Sequence, residues 1–271
     1  MKICVAGTRG FPGVQGGVET HCEHLYPRLV ELGCKVTVFR RRPYVDSGLR
    51  SWKGVRFVDL WCPRTTRTEA IVHTAEATLA SALEGADILH LHAVGPALCV
   101  PLAKALGLRV VVTSQGPDYA RDKWGPVAKM SLRTGERLAA RRADRMIVVT
   151  KHIRDSIRRK YDVSPVVIPN GVDIPELPRK TDHLARWGLE PGRYVFALGR
   201  FVEEKGFHDL FDAFDALQTG WKLALAGNAD HPSSYARKLV KRAEDSERVV
   251  LTGFVKGDAL SQLYAHSGLF A

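Results

Sequence analysis

A chain of 271 residues that is 45% hydrophobic and 25% charged has enough apolar surface for one large or two medium globular domains, which excludes a disordered chain. It lacks the run of about 18 apolar residues that a membrane-spanning helix requires, and its five cysteines contain no Cys-x-x-Cys pair, so neither a disulfide framework nor a zinc site is indicated. The net charge of +11 is uneven: residues 1–180 hold 29 Lys and Arg against 17 Asp and Glu, whereas residues 181–271 hold 11 against 12. A basic first part suits an anionic partner. No aromatic stacking platform, helix-turn-helix or zinc-finger pattern accompanies it, which argues against nucleic acid and leaves a membrane surface, a phosphorylated substrate or plain solvation.

The chain opens on Met1-Lys2-Ile3-Cys4-Val5-Ala6-Gly7, a buried strand running into a glycine turn rather than a secretory signal, so the expected compartment is the cytoplasm. Gly7, Gly10, Gly13, Gly16 and Gly17 then crowd the approach to a helix. That helix carries Val18, Cys22, Leu25, Leu29 and Leu32 on one face, and Pro27 within it predicts a kink. Glycines there let backbone N–H groups reach a phosphate at a helix start, although the spacing is neither Gly-x-Gly-x-x-Gly nor a P-loop. The alternative is a mobile surface loop. Apolar runs at residues 36–39, 55–60, 88–91, 110–113, 146–149 and 166–168 continue as strands separated by helical patterns, which calls for a parallel sheet covered on both faces.

Two stretches in this part have competing readings. A dinucleotide site would want an acidic residue where the chain has Arg40-Arg41-Arg42, and these arginines keep an NADP-dependent oxidoreductase open by offering a grip on a 2′-phosphate. His92, at the exit of its strand, is a candidate for lining a binding site, while His90 reads as packing.

Pro169-Asn170-Gly171 closes the first unit, and Pro175 and Pro178 follow, so the organisation reads as a domain over 1–172, a linker over 173–181 and a partial second domain over 182–271. The second alternation supplies strands at 194–198, 223–226, 249–252 and 269–271. Arg200 and Lys205 leave the first of these and enter the next helix, predicted over 207–217. In an open α/β sheet the crevice beyond the carboxyl ends of the strands binds ligands, and two cations there suit a diphosphate, or else are simply solvated.

Gly16-Gly17-Val18-Glu19, Ile168-Pro169-Asn170-Gly171-Val172-Asp173, Gly199-Arg200-x4-Lys205-Gly206, Leu225-Ala226-Gly227 and Val250-Leu251-Thr252-Gly253-Phe254-Val255 together resemble the GT-B glycosyltransferases, specifically glycosyltransferase family 4. The opening Gly-Thr-Arg-Gly-Phe-Pro and Lys123-Trp124-Gly125 are most similar to its rhamnosyltransferase-like subgroup, which builds bacterial surface polysaccharide. The resemblance implies an α/β GT-B fold of two Rossmann-like doubly wound domains facing a cleft. It implies retaining transfer of a hexosyl or rhamnosyl group from a nucleoside-diphosphate sugar to a saccharide or lipid-linked saccharide at the inner membrane face. Arg200 and Lys205 would stabilise the leaving diphosphate, Gly16 and Gly17 would lie over the same phosphates, and Gly227, Phe254 and Val255 would flank the base. No cofactor and no metal are expected, in keeping with the absence of Asp-x-Asp. Where many relatives carry His-Gly, this chain reads Gln115-Gly116, so Gln115 would sit near the transferred sugar without the option of a positive charge. Relatives continue past residue 271 with carboxylates that hold the donor, so the chain is expected to be a truncated fragment with little or no activity. A non-catalytic module that binds nucleotide sugar or a membrane surface is the alternative.

Overall fold

In the computed structural model, strand β1 (Lys2–Ala6) buries Ile3 and Val5 in one apolar cluster and Cys4 and Ala6 in another. Alternate residues of a strand face opposite ways, so a strand apolar at every position must be covered on both sides. Residues 64, 66, 67, 121–123, 174, 175 and 229–232 are not described; Lys123 and Pro175 therefore lie outside the described residues. Contacts divide the chain into two units, Met1–Val172 and Asp173–Ala271.

The first unit continues with α1 (Gly17–Glu31), β2 (Lys35–Arg41), β3 (Ser51–Trp52), β4 (Val55–Leu60), α2 (Glu69–Leu83), β5 (Ile88–His92) and α3 (Val100–Ala105). After these come β6 (Arg109–Ser114), α4 (Pro126–Arg142), β7 (Arg145–Val148), α5 (Lys151–Tyr161) and β8 (Val166–Val167). The sheet order is β3-β4-β2-β1-β5-β6-β7-β8, parallel throughout except for the β3–β4 pair. Strand β3 has no sequence signal because Ser51-Trp52, unlike the equally short β8 and β12, is not an apolar run. The chain leaves β1 toward β2 and later returns to its other side as β5, so the order reverses between β1 and β5, where doubly wound sheets open a crevice. Helix α1 carries Pro27 and runs past it to Glu31.

The second unit comprises α6 (Asp182–Ala185), β9 (Tyr194–Leu198), α7 (Phe207–Asp215), β10 (Lys222–Ala226), α8 (Ser234–Glu244), β11 (Val249–Gly253), α9 (Gly257–Ala265) and β12 (Leu269–Phe270). Its sheet is parallel in the order β11-β10-β9-β12, with the reversal between β9 and β12. Val195 and Ala197 enter one core, Tyr194 and Phe196 the other. The α/β fold expected from the alternation is what both units have.

The arginines at the end of β2 require a correction. Arg40 is 1% exposed, forms a two-pronged pair with Asp59 at 2.7 and 3.0 Å, donates to the carbonyls of Asp46 and Leu49, and stacks on Phe57 at 4.1 Å. Arg41 is buried against Glu69 at 2.7 Å. Neither has a free face for a 2′-phosphate, whereas Arg42, in the turn that follows, is exposed. Removing one partner from a buried ion pair leaves an uncompensated charge and costs about 3–5 kcal/mol. Arg40→Ala is therefore expected to lower the stability of the first unit by that amount, roughly 3–5 kcal/mol, as read from urea unfolding; a loss below about 1 kcal/mol would show that the pair is solvated.

Candidate functional site

At the carboxyl ends of β9, β10 and β11, backbone lies directly against backbone. Gly199 N–H donates to Ala226 O at 3.0 Å, and Gly227 N–H donates to Gly253 O at 2.8 Å, tying three strand exits side by side. A β-bulge shifts the β10–β11 register between Leu225 and Ala226 and re-aims the strand end. Gly227 has φ +136°, and a Cβ there would stand 1.9 Å from Gly199 O. Only glycine fits such an approach. Phe254, 49% exposed, and the half-buried Val255 follow Gly253 at the same end.

Arg200 leaves β9 half-buried, and its carbonyl accepts Val202 N–H at 2.8 Å in a tight turn. Lys205 precedes the helix, which starts at Phe207 as expected. It ends a 3-10 turn over Glu203–Lys205, and Gly206 at φ 64° then starts α7. Its stem folds back across the strand exit, with Cδ and Cε at 3.5 and 3.6 Å from where a Gly199 Cβ would be. The sequence candidates Arg200, Lys205, Gly227, Phe254 and Val255 thus gather at one end of one sheet.

In the first unit the glycine loop after β1 is braced by side chains. Arg9 N–H donates to Glu19 at 3.1 Å, Gly13 N–H to Glu23 at 3.1 Å and Gly10 N–H to Thr8 Oγ1 at 2.7 Å. Glu19 is buried and folds back against the backbone of Gly16, the N-cap of α1, whereas Gly17 is exposed with open space around it. Several loop N–H groups are therefore already occupied, while Gly17, the first residue of α1, has room for a ligand. Gln115, just past β6, exchanges two hydrogen bonds with Asn170, at 2.7 and 3.4 Å. Glu19 and Asn170 lie inside the motifs singled out from the sequence, yet only tertiary proximity gives them these partners.

His92 does not line an open site. It is fully buried, its Nε2 is 2.6 Å from Tyr26 Oη, and Tyr26 Oη is 2.9 Å from His90 Nδ1; His90 Nε2 is 2.8 Å from Thr113 Oγ1. Each neutral ring has one proton. A consistent assignment has His92 Nε2–H donating to Tyr26, Tyr26 O–H donating to His90 Nδ1, and His90 Nε2–H donating to Thr113. The Nδ1 of His92, buried without a partner, then bears only a lone pair. Burial, with the neighbouring His21 adding to it, lowers His90 to about 4; burial first, then His90 and His21, holds His92 well below the usual range. Elsewhere, Asp182, His183 and Asp258 bring possible cation ligands within 4.8 Å of one another, but Gln262 already donates to both carboxylates, at 2.9 and 3.1 Å.

Residues 15–176 match the family Glycosyltransferase Family 4, and residues 180–271 match Glycosyl transferases group 1. An uncharacterized glycosyltransferase of Bacillus subtilis (strain 168), YqgM, is 29% identical over 190 residues, covering 66% of this chain and 50% of that protein; the chain spans about half the length of this curated relative. Sucrose-phosphate synthase from Thermosynechococcus elongatus superposes with a TM-score of 0.81 at 19% identity, over 99% of this chain and 74% of its own. The Anabaena protein HepE in complex with UDP and glucose gives 0.77 at 18% identity, over 100% of this chain and 73% of its own. These likenesses establish GT-B-type units.

Two expectations follow from the geometry. The unfolded histidines titrate near 6.5 and the buried ones lower, so between about 6.5 and 4 the unfolded chain binds more protons and stability falls as pH falls. Urea unfolding of His90→Gln across that window should have a shallower pH slope than the parent. An unchanged slope would mean that His90 is protonated without cost. Gly227→Ala should destabilise the second unit by about 1–3 kcal/mol through overpacking, while Gly220→Ala, with open space around it, stays within about 0.5 kcal/mol. Equal melting of the two variants would refute the close approach.

Proposed function

This chain belongs to glycosyltransferase family 4, and from that premise we propose that it transfers a sugar, with retention and without a metal, from a nucleoside-diphosphate donor to a lipid-linked saccharide. The product would be bacterial surface polysaccharide, made at the cytoplasmic face of the membrane. The observation that carries this reading is the crevice of the second unit, where glycine strand exits are tied together and the Lys205 stem lies across Gly199. In the reaction the bond between the sugar C1 and the diphosphate oxygen breaks and its electron pair leaves with the diphosphate. An acceptor hydroxyl oxygen bonds to C1 on the same face, and its proton passes to the departing diphosphate.

Negative charge grows on the departing diphosphate, so preorganised cations lower the barrier most at that point. Arg200 offers a planar fork and Lys205 a mobile ammonium, which suit non-bridging oxygens in different ways. Gly227, Phe254 and Val255 would flank the base, and Gly16 and Gly17 would present backbone N–H groups to phosphate. Gln115 would hydrogen-bond the transferred sugar as a neutral group, in exchange for its amide pair with Asn170. The UDP and glucose bound by the Anabaena relative support a nucleotide-sugar donor. The rhamnosyl-type assignment rests on the opening Gly-Thr-Arg-Gly-Phe-Pro and on Lys123-Trp124-Gly125.

Arg200→Ala and Lys205→Ala should each weaken nucleoside-diphosphate binding by about 1–3 kcal/mol, the range for a lost charge-assisted hydrogen bond. Calorimetric titration of UDP, GDP and dTDP reads this directly. Unchanged affinity for every nucleotide that binds the parent would return both residues to the status of solvated surface cations.

A further inference from the structure

Residues 126–160 hold 11 Lys and Arg against 3 Asp and Glu, a net +8 in a chain whose total is +11. These residues form α4, β7 and α5, so the excess is a property of one place in the fold. The few carboxylates do not neutralise it. Glu136 is 3% exposed and takes hydrogen bonds from Tyr119, Tyr161 and Lys160, which locks α4 to α5.

Helix α4 buries Gly135, Glu136, Ala139 and Ala140. On its outer side Val127, Met130, Arg133, Arg137 and Arg141 recur at steps of three or four residues and so share one face. All five are exposed, Val127 at 73% and Met130 at 64%. Among the described residues none of the three arginines has a carboxylate partner. The apolar pair lies at the amino-terminal end of the face and the arginines follow it.

Behind Val127 opens a cavity of about 580 Å³ lined by Ile71, Gly95, Leu98, Trp124 and Leu132. Its walls come from the segments that follow β4, β5 and β6, so it lies at the carboxyl end of the first unit's sheet, the end at which such sheets bind ligands. A polyanion such as RNA would engage the arginines but has no use for exposed Val127 and Met130 or for an apolar cavity. Headgroup phosphates above hydrocarbon match both parts of the face at once.

We propose that the first unit docks on an anionic lipid bilayer through the outer face of α4, with Val127 and Met130 among the acyl chains and Arg133, Arg137 and Arg141 among the headgroup phosphates. Basic residues next to an apolar strip are the arrangement by which amphipathic helices lie in a membrane interface. This surface deepens the reading of a lipid-linked acceptor and rests on that reading for its purpose. Docking itself is measurable without nucleotide or acceptor, so its failure would leave sugar transfer standing, and the reverse also holds.

The test is co-sedimentation of the 271-residue chain with vesicles of phosphatidylcholine alone and of equal parts phosphatidylcholine and phosphatidylglycerol. Binding is expected to the mixed vesicles only, and to weaken with salt as exposed charges are screened. Replacing Arg133, Arg137 and Arg141 together by Gln should weaken it on the order of a hundredfold, since each basic residue at such a surface contributes separately. Replacing Val127 and Met130 together by Ser should weaken it about tenfold or more while melting stays at the parent value. Absence of binding to the mixed vesicles at low salt overturns the proposal, as does full binding by the arginine variant. Binding that Val127→Ser with Met130→Ser leaves unchanged, and that duplex RNA competes away, would overturn it in favour of a polyanion surface.

Discussion

The carbonyl oxygen of Gly199 occupies the space in which a side chain at position 227 would begin, 1.9 Å from the ideal Cβ. The first unit repeats the arrangement: a Cβ at Gly7 would meet the carbonyl of His92 at 2.3 Å. In both sheets the strand exits can draw together only because one of the touching residues has no side chain. The rest of each crevice depends on this. With no side chains between the strand ends, backbone groups form its floor, and charged groups must arrive from the turn beyond, as Lys205 does when its stem folds back over Gly199.

Cations of one chemical type have opposite roles in this chain. Arg40 and Arg41 sit at the end of a central strand, where burial would be prohibitive without Asp59, Glu69 and main-chain carbonyls to receive them. They hold the first unit together and are not available to a ligand. Arg133, Arg137 and Arg141 lie on the outer side of a helix whose inner side is Gly135, Glu136, Ala139 and Ala140, so their charge faces solvent. Net charge alone would count all five alike.

Polar order also reaches the interior of the first unit. The chain His92, Tyr26, His90, Thr113 links β5 to α1 and β6 beneath the loop that follows β1, while Glu19 and Glu23 hold that loop from the helix side. A loop rich in glycine is free to move when nothing accepts its N–H groups. Here carboxylates and a threonine do, so the glycines serve a defined backbone path rather than mobility.

Much of the fold was legible in the sequence because buried parallel strands are continuous apolar runs and covering helices are periodic: the strands at 55–60 and 194–198 have the bounds that composition alone suggests. The glycine and cation motifs likewise marked strand exits at which backbone meets backbone. Strand β3 escaped because Ser51-Trp52 is not an apolar run, whereas the helix after Lys205 starts at the expected Phe207, behind the left-handed Gly206 at φ 64°. What only tertiary structure decided was which partner each polar group meets. Arg40 finds Asp59 across neighbouring strands, Gln115 finds Asn170 from 55 residues away, and His92 is sealed against Tyr26. Local sequence sets backbone preference and the side a residue faces, whereas burial and pairing depend on groups distant in the chain, and for a charge those two determine whether it binds a ligand or holds the fold.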